Sequence, residues 1–237
     1  MPMPPMDRFF DSPKKTPLAD MIPGASDKAT VISVDQGSAN WFAARLGIPT
    51  ASRIGDIVTT RGEPCKGTGR TTLMHTLVCE RLTRVPEMGH STAAMERGSE
   101  LEPKARRWYE FESGADVQQV GFIKHADGYG ASPDGLMIEV GTGKGLEIKC
   151  PMHRGMIAAI LSERPPSGYI GQIQFSMWVT GLQSWDLLVY TPEAEIPNRI
   201  WTIGADEKLH KAYAELVPAF CAELDALEKH LRDMANK

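Results

Sequence analysis

The sequence predicts an α/β (α+β) protein with a mixed central sheet flanked by helices. Three observations predict it. Residues from about 118 to 150 read as three antiparallel strands separated by tight, glycine-containing turns. Residues 185–190 are a near-continuous apolar run, as expected of a central strand buried on both faces. Amphipathic helical stretches surround these strands, the longest from residue 206 to about 234.

A chain of 237 residues with a 42% apolar share can build one sizeable core. Residues 28–237 are therefore read as a single domain. Residues 1–27, rich in proline and small polar side chains, are expected to be a poorly ordered extension, or a segment that docks a neighbouring subunit. No apolar run approaches the roughly 18 residues of a membrane span. The start, Met1-Pro-Met-Pro-Pro-Met, has no charged end followed by an apolar stretch, so it is no secretory signal. A soluble, cytoplasmic protein without a membrane partner is expected. Cys65, Cys79, Cys150 and Cys221 are scattered, without a C-x-x-C pair, which argues against zinc and against an iron–sulfur cluster and for reduced thiols. The formal charge of −4 argues against a surface that coats nucleic acid all over. It leaves room for a local basic channel.

In chain order, residues 30–34 are a short β-branched strand. Ser38 caps a helix whose apolar side is Trp41, Phe42, Ala44 and Leu46, and Gly47-Ile48-Pro49 ends it. Thr50-Ala51-Ser52 reads as the cap of the next helix. A helix start suits a phosphate, and Arg45 and Ser52 flank this one. On local sequence alone they are also an ordinary last-turn basic residue and a plain cap. Residues 61–70, with Arg61, Lys66 and Arg70, form a basic loop that either tracks a phosphate backbone or is simply solvated. A helix follows from about 71 to 83. Another, from 96 to 113, buries Leu101, Ala105 and Trp108. Pro103 fits only in its first turn, which puts Glu102 near the helix start. There Glu102 either complements the dipole or leans over the sheet as an acid of the site.

Residues 117–124 alternate as one strand, and His125-Ala126-Asp127-Gly128 turns the chain. After Pro165-Pro166, Ser167 caps a helix closed by Gly181. Tyr169, Gln172 and Ser176 share one face of it and Ile173 and Met177 another. Residues 199–203 form a further strand. In the terminal helix Pro218 is expected to introduce a kink.

The organising stretch is Ser132-Pro133-Asp134-Gly135-Leu136, a glycine-rich break at residues 141–145, then Leu146-Glu147-Ile148-Lys149-Cys150. On a strand Glu147 and Lys149 point one way and Ile148 the other. A hairpin brings Asp134 near the end of the second strand. Two carboxylates and an ammonium then converge, a hard-oxygen set suited to Mg²⁺ or Mn²⁺. The plainer alternative is a Pro-Asp-Gly turn beside a solvated same-face pair.

Several blocks occur together in order: Gln36-Gly37 through Trp41; Arg45-Leu46-Gly47; Thr50-Ala51-Ser52; Gly98-x-x-x-Glu102 with Ala105-Arg106; Ser113-Gly114; the two stretches just described; Tyr169-x-x-Gln172 through Thr180; and Tyr190-x-Pro192. Over residues 34–230 this pattern resembles the phage lambda exonuclease, or YqaJ-type viral recombinase nuclease, family. The resemblance implies a restriction-endonuclease-like core carrying a PD-(D/E)xK site. It implies a Mg²⁺-dependent 5′→3′ exonuclease that acts on double-stranded DNA ends and leaves 3′ single-stranded tails for recombination by strand annealing. In that light Asp134, Glu147, Glu102 and the Ile148 carbonyl look like metal ligands. Lys149 resembles the lysine that acts on the attacking water, Gln172 lines the site, and Tyr169 sits beside it. Arg45 and Ser52 match the 5′-phosphate pocket. A homotrimeric ring, a single-strand annealing partner and a bacterial or phage-infected cytoplasm are implied as well. Two other readings stand beside it: a structure-specific endonuclease of the same superfamily and a non-catalytic scaffold that binds DNA ends.

Overall fold

The computed structural model describes residues 13–87, 92–139, 142–192 and 197–236. Its strands divide between two sheets. β1 (Lys15–Pro17), β2 (Ala29–Ile32), β4 (Phe122–His125) and β5 (Gly130–Ala131) form an antiparallel sheet in that order. β3 (Val117–Gln118), β6 (Gly135–Glu139), β7 (Thr142–Lys149), β8 (Ser184–Val189) and β9 (Arg199–Gly204) form the other, also in that order. Here β7 and β8 run parallel and the other neighbours antiparallel. Parallel neighbours need a long connection, and α5 (His153–Leu161) and α6 (Ser167–Thr180) supply it.

The helix α6 explains how the sheets share a core. Ile173, Phe175, Met177 and Val179 are wholly buried, and Gln174, Ser176 and Thr180 nearly so. A helix buried around most of its circumference belongs inside a protein. It touches β4 and β5 of one sheet, β8 of the other, and α7 (Glu207–Ala235). The opposite face of the five-stranded sheet is covered by α4 (Ala93–Ser113), whose Ala105 and Tyr109 pack on Met137, Leu146, Ile148 and Leu188. The Tyr109 hydroxyl pins α4 there by donating to Asp186 Oδ2 at 2.5 Å. Strand alternation therefore sends Leu146 and Ile148 toward α4, and Glu147 and Lys149 toward α6. Smaller elements complete the chain: α1 (Leu18–Met21), α2 (Ala39–Ala44), a 3-10 helix at Ala51–Asp56 and α3 (Thr68–Thr83). The Gly181 cap (φ +76°) and the Ser38 cap, which accepts from the Trp41 N–H, are as expected, and β8 is a buried interior strand, between β7 and the edge strand β9.

Other expectations need correction. The extension joins the fold well before Asp27: β1 pairs with β2, and Leu18 and Ile22 are fully buried. Residues 1–12 lie outside the described residues. The strand expected over 117–124 is two strands in different sheets, because the chain crosses over at Gly121, where a Cβ would strike the Val34 backbone. Gly143 and Gly145 belong to β7 rather than to the turn, since Ile22 and Trp185 occupy the space of their missing side chains. Gly141, where the turn was expected to begin, lies outside the described residues. The helix α4 starts ten residues before Pro103, which is internal, so Glu102 is not near the helix start. Thr50, not Ser52, stands at the cap position of the 3-10 helix, and neither its side chain nor that of Ser167 caps a helix. Arg70 lies on α3 rather than in the loop.

Candidate active site

The chain leaves the five-stranded sheet after β3 and returns at β6, and two side chains staple the exit to the return. The Gln36 amide donates to Val120 O at 3.0 Å and to Pro133 O at 2.9 Å. The Trp41 Nε1–H donates to Gly121 O at 3.1 Å and Ser132 Oγ at 2.9 Å. This holds Ser132-Pro133-Asp134 at the mouth of the sheet. Asp134 N–H then donates to Leu146 O at 3.1 Å, and Asp134 Oδ2 accepts the Ile148 N–H at 2.6 Å. The hairpin thus brings Asp134 against β7, as the sequence led one to expect.

Glu147 is 2% exposed. Its Oε1 takes the Lys149 ammonium at 2.6 Å and the Gln172 amide at 2.6 Å. Its Oε2 is buried without a hydrogen-bond partner. Lys149 also donates to Gln172 Oε1 at 3.4 Å and lies 5.3 Å from the centre of the Tyr169 ring. Glu102 reaches the cluster from α4 while ion-paired to Arg106 four residues on. Burial raises the pKa of Asp134 well above the carboxylate range, and the Glu147 and Glu102 charges push the same way. Burial also raises that of Glu102, against the pull of Arg106. For Lys149 burial acts to lower the pKa, but the Glu147 and Asp134 carboxylates outweigh it and raise it. Glu147, Lys149 and Gln172 are thus in direct contact, and Asp134 and Glu102 lie near enough for their charges to act on that group.

Among the described residues no three His, Cys, Asp or Glu side chains stand as a ready metal cage. Asp134 is turned to a backbone amide, Glu147 to Lys149 and Gln172, and Glu102 to Arg106. The chemistry of the set nonetheless fits a hard divalent cation. It offers a partnerless, buried carboxylate oxygen among mutually repelling acids.

The second candidate region lies around α2. Arg45 stacks on Trp41, its guanidinium carbon 4.0 Å from the ring centroid, and its Nη2 donates to Thr50 Oγ1 at 3.2 Å and Ser52 Oγ at 3.5 Å. Arg45, Thr50 and Ser52 line a cleft of about 1550 Å³ whose wall also includes Glu102 and Gln119. Asp134, Glu147 and Lys149 are not part of that wall, so the cleft touches the acid cluster at its Glu102 edge. Arg61, Lys66 and Arg70 do not line it either. The Arg70 guanidinium is paired with Glu223 at 2.8 Å.

Residues 40–183 match the YqaJ-like viral recombinase domain. The chain belongs to that family. Among solved structures it is similar to an alkaline exonuclease, LHK-Exo, from Laribacter hongkongensis, at 39% identity and a TM-score of 0.75. The match covers 84% of this chain and 98% of that one. The complex of LHK-Exo with dAMP matches at 40% identity and a TM-score of 0.74 with the same coverage. A phage-related exonuclease from Haemophilus somnus shares the fold at 13% identity and a TM-score of 0.60, with 78% and 96% covered. A 60-residue stretch, a quarter of this chain, is 33% identical to the ExoD protein of Escherichia coli K12, 69% of which it covers.

Three residues outside the expected site set, Arg106, Gln36 and Trp41, frame the site. Buried Arg106 pairs with Glu102, donates to Asp134 O at 3.2 Å and, with the Gln119 amide turned so that its oxygen faces the guanidinium, donates to that oxygen at 2.6 and 3.0 Å, so it ties two of the acidic residues together. Its i, i+4 spacing from Glu102 was the available signal. Gln36 and Trp41 stood in the motif, but partners 80 to 97 positions away left no local trace.

Proposed function

We propose that the protein is a Mg²⁺-dependent 5′→3′ exonuclease that digests one strand of double-stranded DNA from its end and leaves a 3′ single-stranded tail. Family membership and 39% identity to an alkaline exonuclease support a nuclease. The observation that supports the finer reading is that one cleft is lined by Arg45, Thr50 and Ser52 and also by Glu102, the edge of the acid cluster. A pocket for a terminal phosphate beside a hydrolytic centre favours stepwise removal from an end. A guanidinium with two hydroxyls suits a phosphate monoester.

In this reading Asp134, Glu147 and Glu102, with the Ile148 carbonyl, would hold the metal. Bound there, Mg²⁺ would supply Lewis acidity toward the phosphodiester and its water. The chain's own groups do the rest. Gln172 fixes Glu147 and Lys149 relative to each other, and Tyr169 walls the ammonium. Lys149, with three donors, is placed to orient water and to donate to a phosphate oxygen as negative charge builds on it. Arg106 keeps Glu102 directed at the cluster. Arg61 and Lys66, both exposed, remain proposed contacts to the DNA backbone, whereas Arg70 is engaged with Glu223. The homotrimeric ring and the annealing partner belong to the same proposal and rest on the family resemblance.

Digestion of a blunt duplex labelled at either the 5′ or the 3′ terminus, with and without Mg²⁺, tests it. Early metal-dependent release of the 5′ label is expected. Early loss of the 3′ label contradicts the polarity, and prompt cutting of a covalently closed circle contradicts the need for an end and favours the structure-specific endonuclease.

A further inference from the structure

We propose that Glu80 and Arg81, neighbours on α3, are positioning residues for 5′-phosphate recognition, because together they clamp Gly47 in the conformation that gathers Arg45, Thr50 and Ser52 into one anion pocket. The inference rests on the reading of that pocket given above.

Gly47 is held at both of its backbone polar groups. Its N–H donates to Glu80 Oε2 at 2.7 Å, and its carbonyl accepts from Arg81 Nε at 2.6 Å. Its φ of +68° is a conformation that glycine adopts without cost. A Cβ there would also run into Arg81 Cγ. Two independent constraints thus require glycine at the elbow where the chain leaves α2. Arg45 lies two residues before the elbow, and Thr50 and Ser52 lie three and five after it. The turn that contains Gly47 lies between Arg45 and the two hydroxyls that its guanidinium reaches.

The clamp is braced from two further directions. Glu80 Oε1 accepts the Glu87 N–H at 2.9 Å, so the same carboxylate ties down the segment after α3. Arg81 Nη1 reaches across to α7, to Asp225 at 2.6 Å and Glu228 at 3.3 Å. The plainer reading makes Arg81 an interhelical salt bridge and nothing more. Its shorter pair leaves Asp225 69% exposed, and such pairs contribute little. Arg81 Nε is nonetheless given to Gly47 O, while Nη1 alone serves the two carboxylates of α7. Glu80 also counters the burial of the Arg45 guanidinium, which otherwise disfavours its charged form. Neither residue needs to touch DNA. Each acts through the backbone that presents the pocket.

The test compares kcat/KM on duplexes ending in a 5′-phosphate and in a 5′-hydroxyl, for the wild type and for Glu80→Leu, Glu80→Gln and Arg81→Met. The phosphate-to-hydroxyl ratio should fall about tenfold in Glu80→Leu and in Arg81→Met, chiefly through KM for phosphorylated ends. Glu80→Gln, whose amide oxygen can still accept from Gly47 although its NH2 cannot accept from Glu87, should keep the ratio, which separates the bond to Gly47 from the charge and from the Glu87 brace. In an Arg45→Ala background neither Glu80→Leu nor Arg81→Met should lower the ratio further. Circular dichroism establishes that each variant is folded. Should Arg81→Met fail to fold, the Glu80→Leu and Glu80→Gln pair decides alone. A wild-type preference that Glu80→Leu retains overturns the clamp while leaving the pocket in place. An equal loss on both substrates also overturns it, since that reports general damage. A wild type that does not distinguish the two ends removes the pocket and the clamp together.

Discussion

Glu147 is a buried acid with one oxygen doubly bonded and the other bare. Leaving a carboxylate oxygen unsatisfied in a dry site is costly, and such a group calls for an explanation. A cation drawn in by Glu147, Asp134 and Glu102 provides it. Lys149 shares Oε1 with Gln172, and its ammonium stands where phosphate charge would build. Lys149→Ala should therefore lower turnover by about 10²- to 10⁴-fold, and Glu147→Ala and Asp134→Ala should abolish it. Duplex binding without divalent metal should survive in all three. Pre-steady-state cleavage paired with fluorescence anisotropy separates the two effects, and full turnover in any of the three would remove that residue from the chemistry. The neighbourhood of Asp134, Glu147 and Lys149 was legible in the sequence because period-2 alternation and one hairpin dictate it. Arg106 was not, since its contacts to Asp134 O and Gln119 depend on how α4 lies across the sheet.

The strands and helices show where local pattern gives way to tertiary contact. The apolar run at residues 185–190 was readable as a central strand because burial on both faces leaves no polar alternation. The division of residues 117–125 between two sheets was not readable. It depends on Gly121 passing close to the backbone of Val34 and on staples from Gln36 and Trp41. The segment before β2 was misread because its prolines and small residues masked two anchors, Leu18 and Ile22, both fully buried. Ile22→Ala should cost about 2–5 kcal/mol by deletion of packed methylenes. Gly145→Ala should cost about 1–3 kcal/mol, because Trp185 fills the space a methyl would need. Urea denaturation measures both. Losses under about 0.5 kcal/mol, the range of ordinary surface substitutions, would mean that the amino-terminal segment is not part of the core and that Trp185 yields freely.

Buried titratable groups also lie outside the acid cluster. Two histidines, His125 and His210, have pKa values lowered from 6.5, first by burial. His125 stacks on Tyr129 at 4.4 Å, and its Nδ1 accepts the Asp127 N–H, which requires the neutral ring. The unfolded chain binds these protons more readily. Their contribution to stability is therefore present above about pH 6.5 and lost as the pH falls below it. Denaturation midpoints on either side of that pH should show the decline, and His125→Gln should flatten it. A midpoint that rises on acidification would reverse the sign. Among the described residues no helix is long and apolar enough to cross a membrane.

The central claim is that the buried acids around Lys149 gather a divalent cation. Electron paramagnetic resonance of Mn²⁺ titrated into the protein tests it most directly. The wild type should deplete the free-ion signal, and Asp134→Ala and Glu147→Ala should each restore it. A wild type that leaves the free Mn²⁺ signal intact, or acid variants that bind as well as the wild type, would contradict the account.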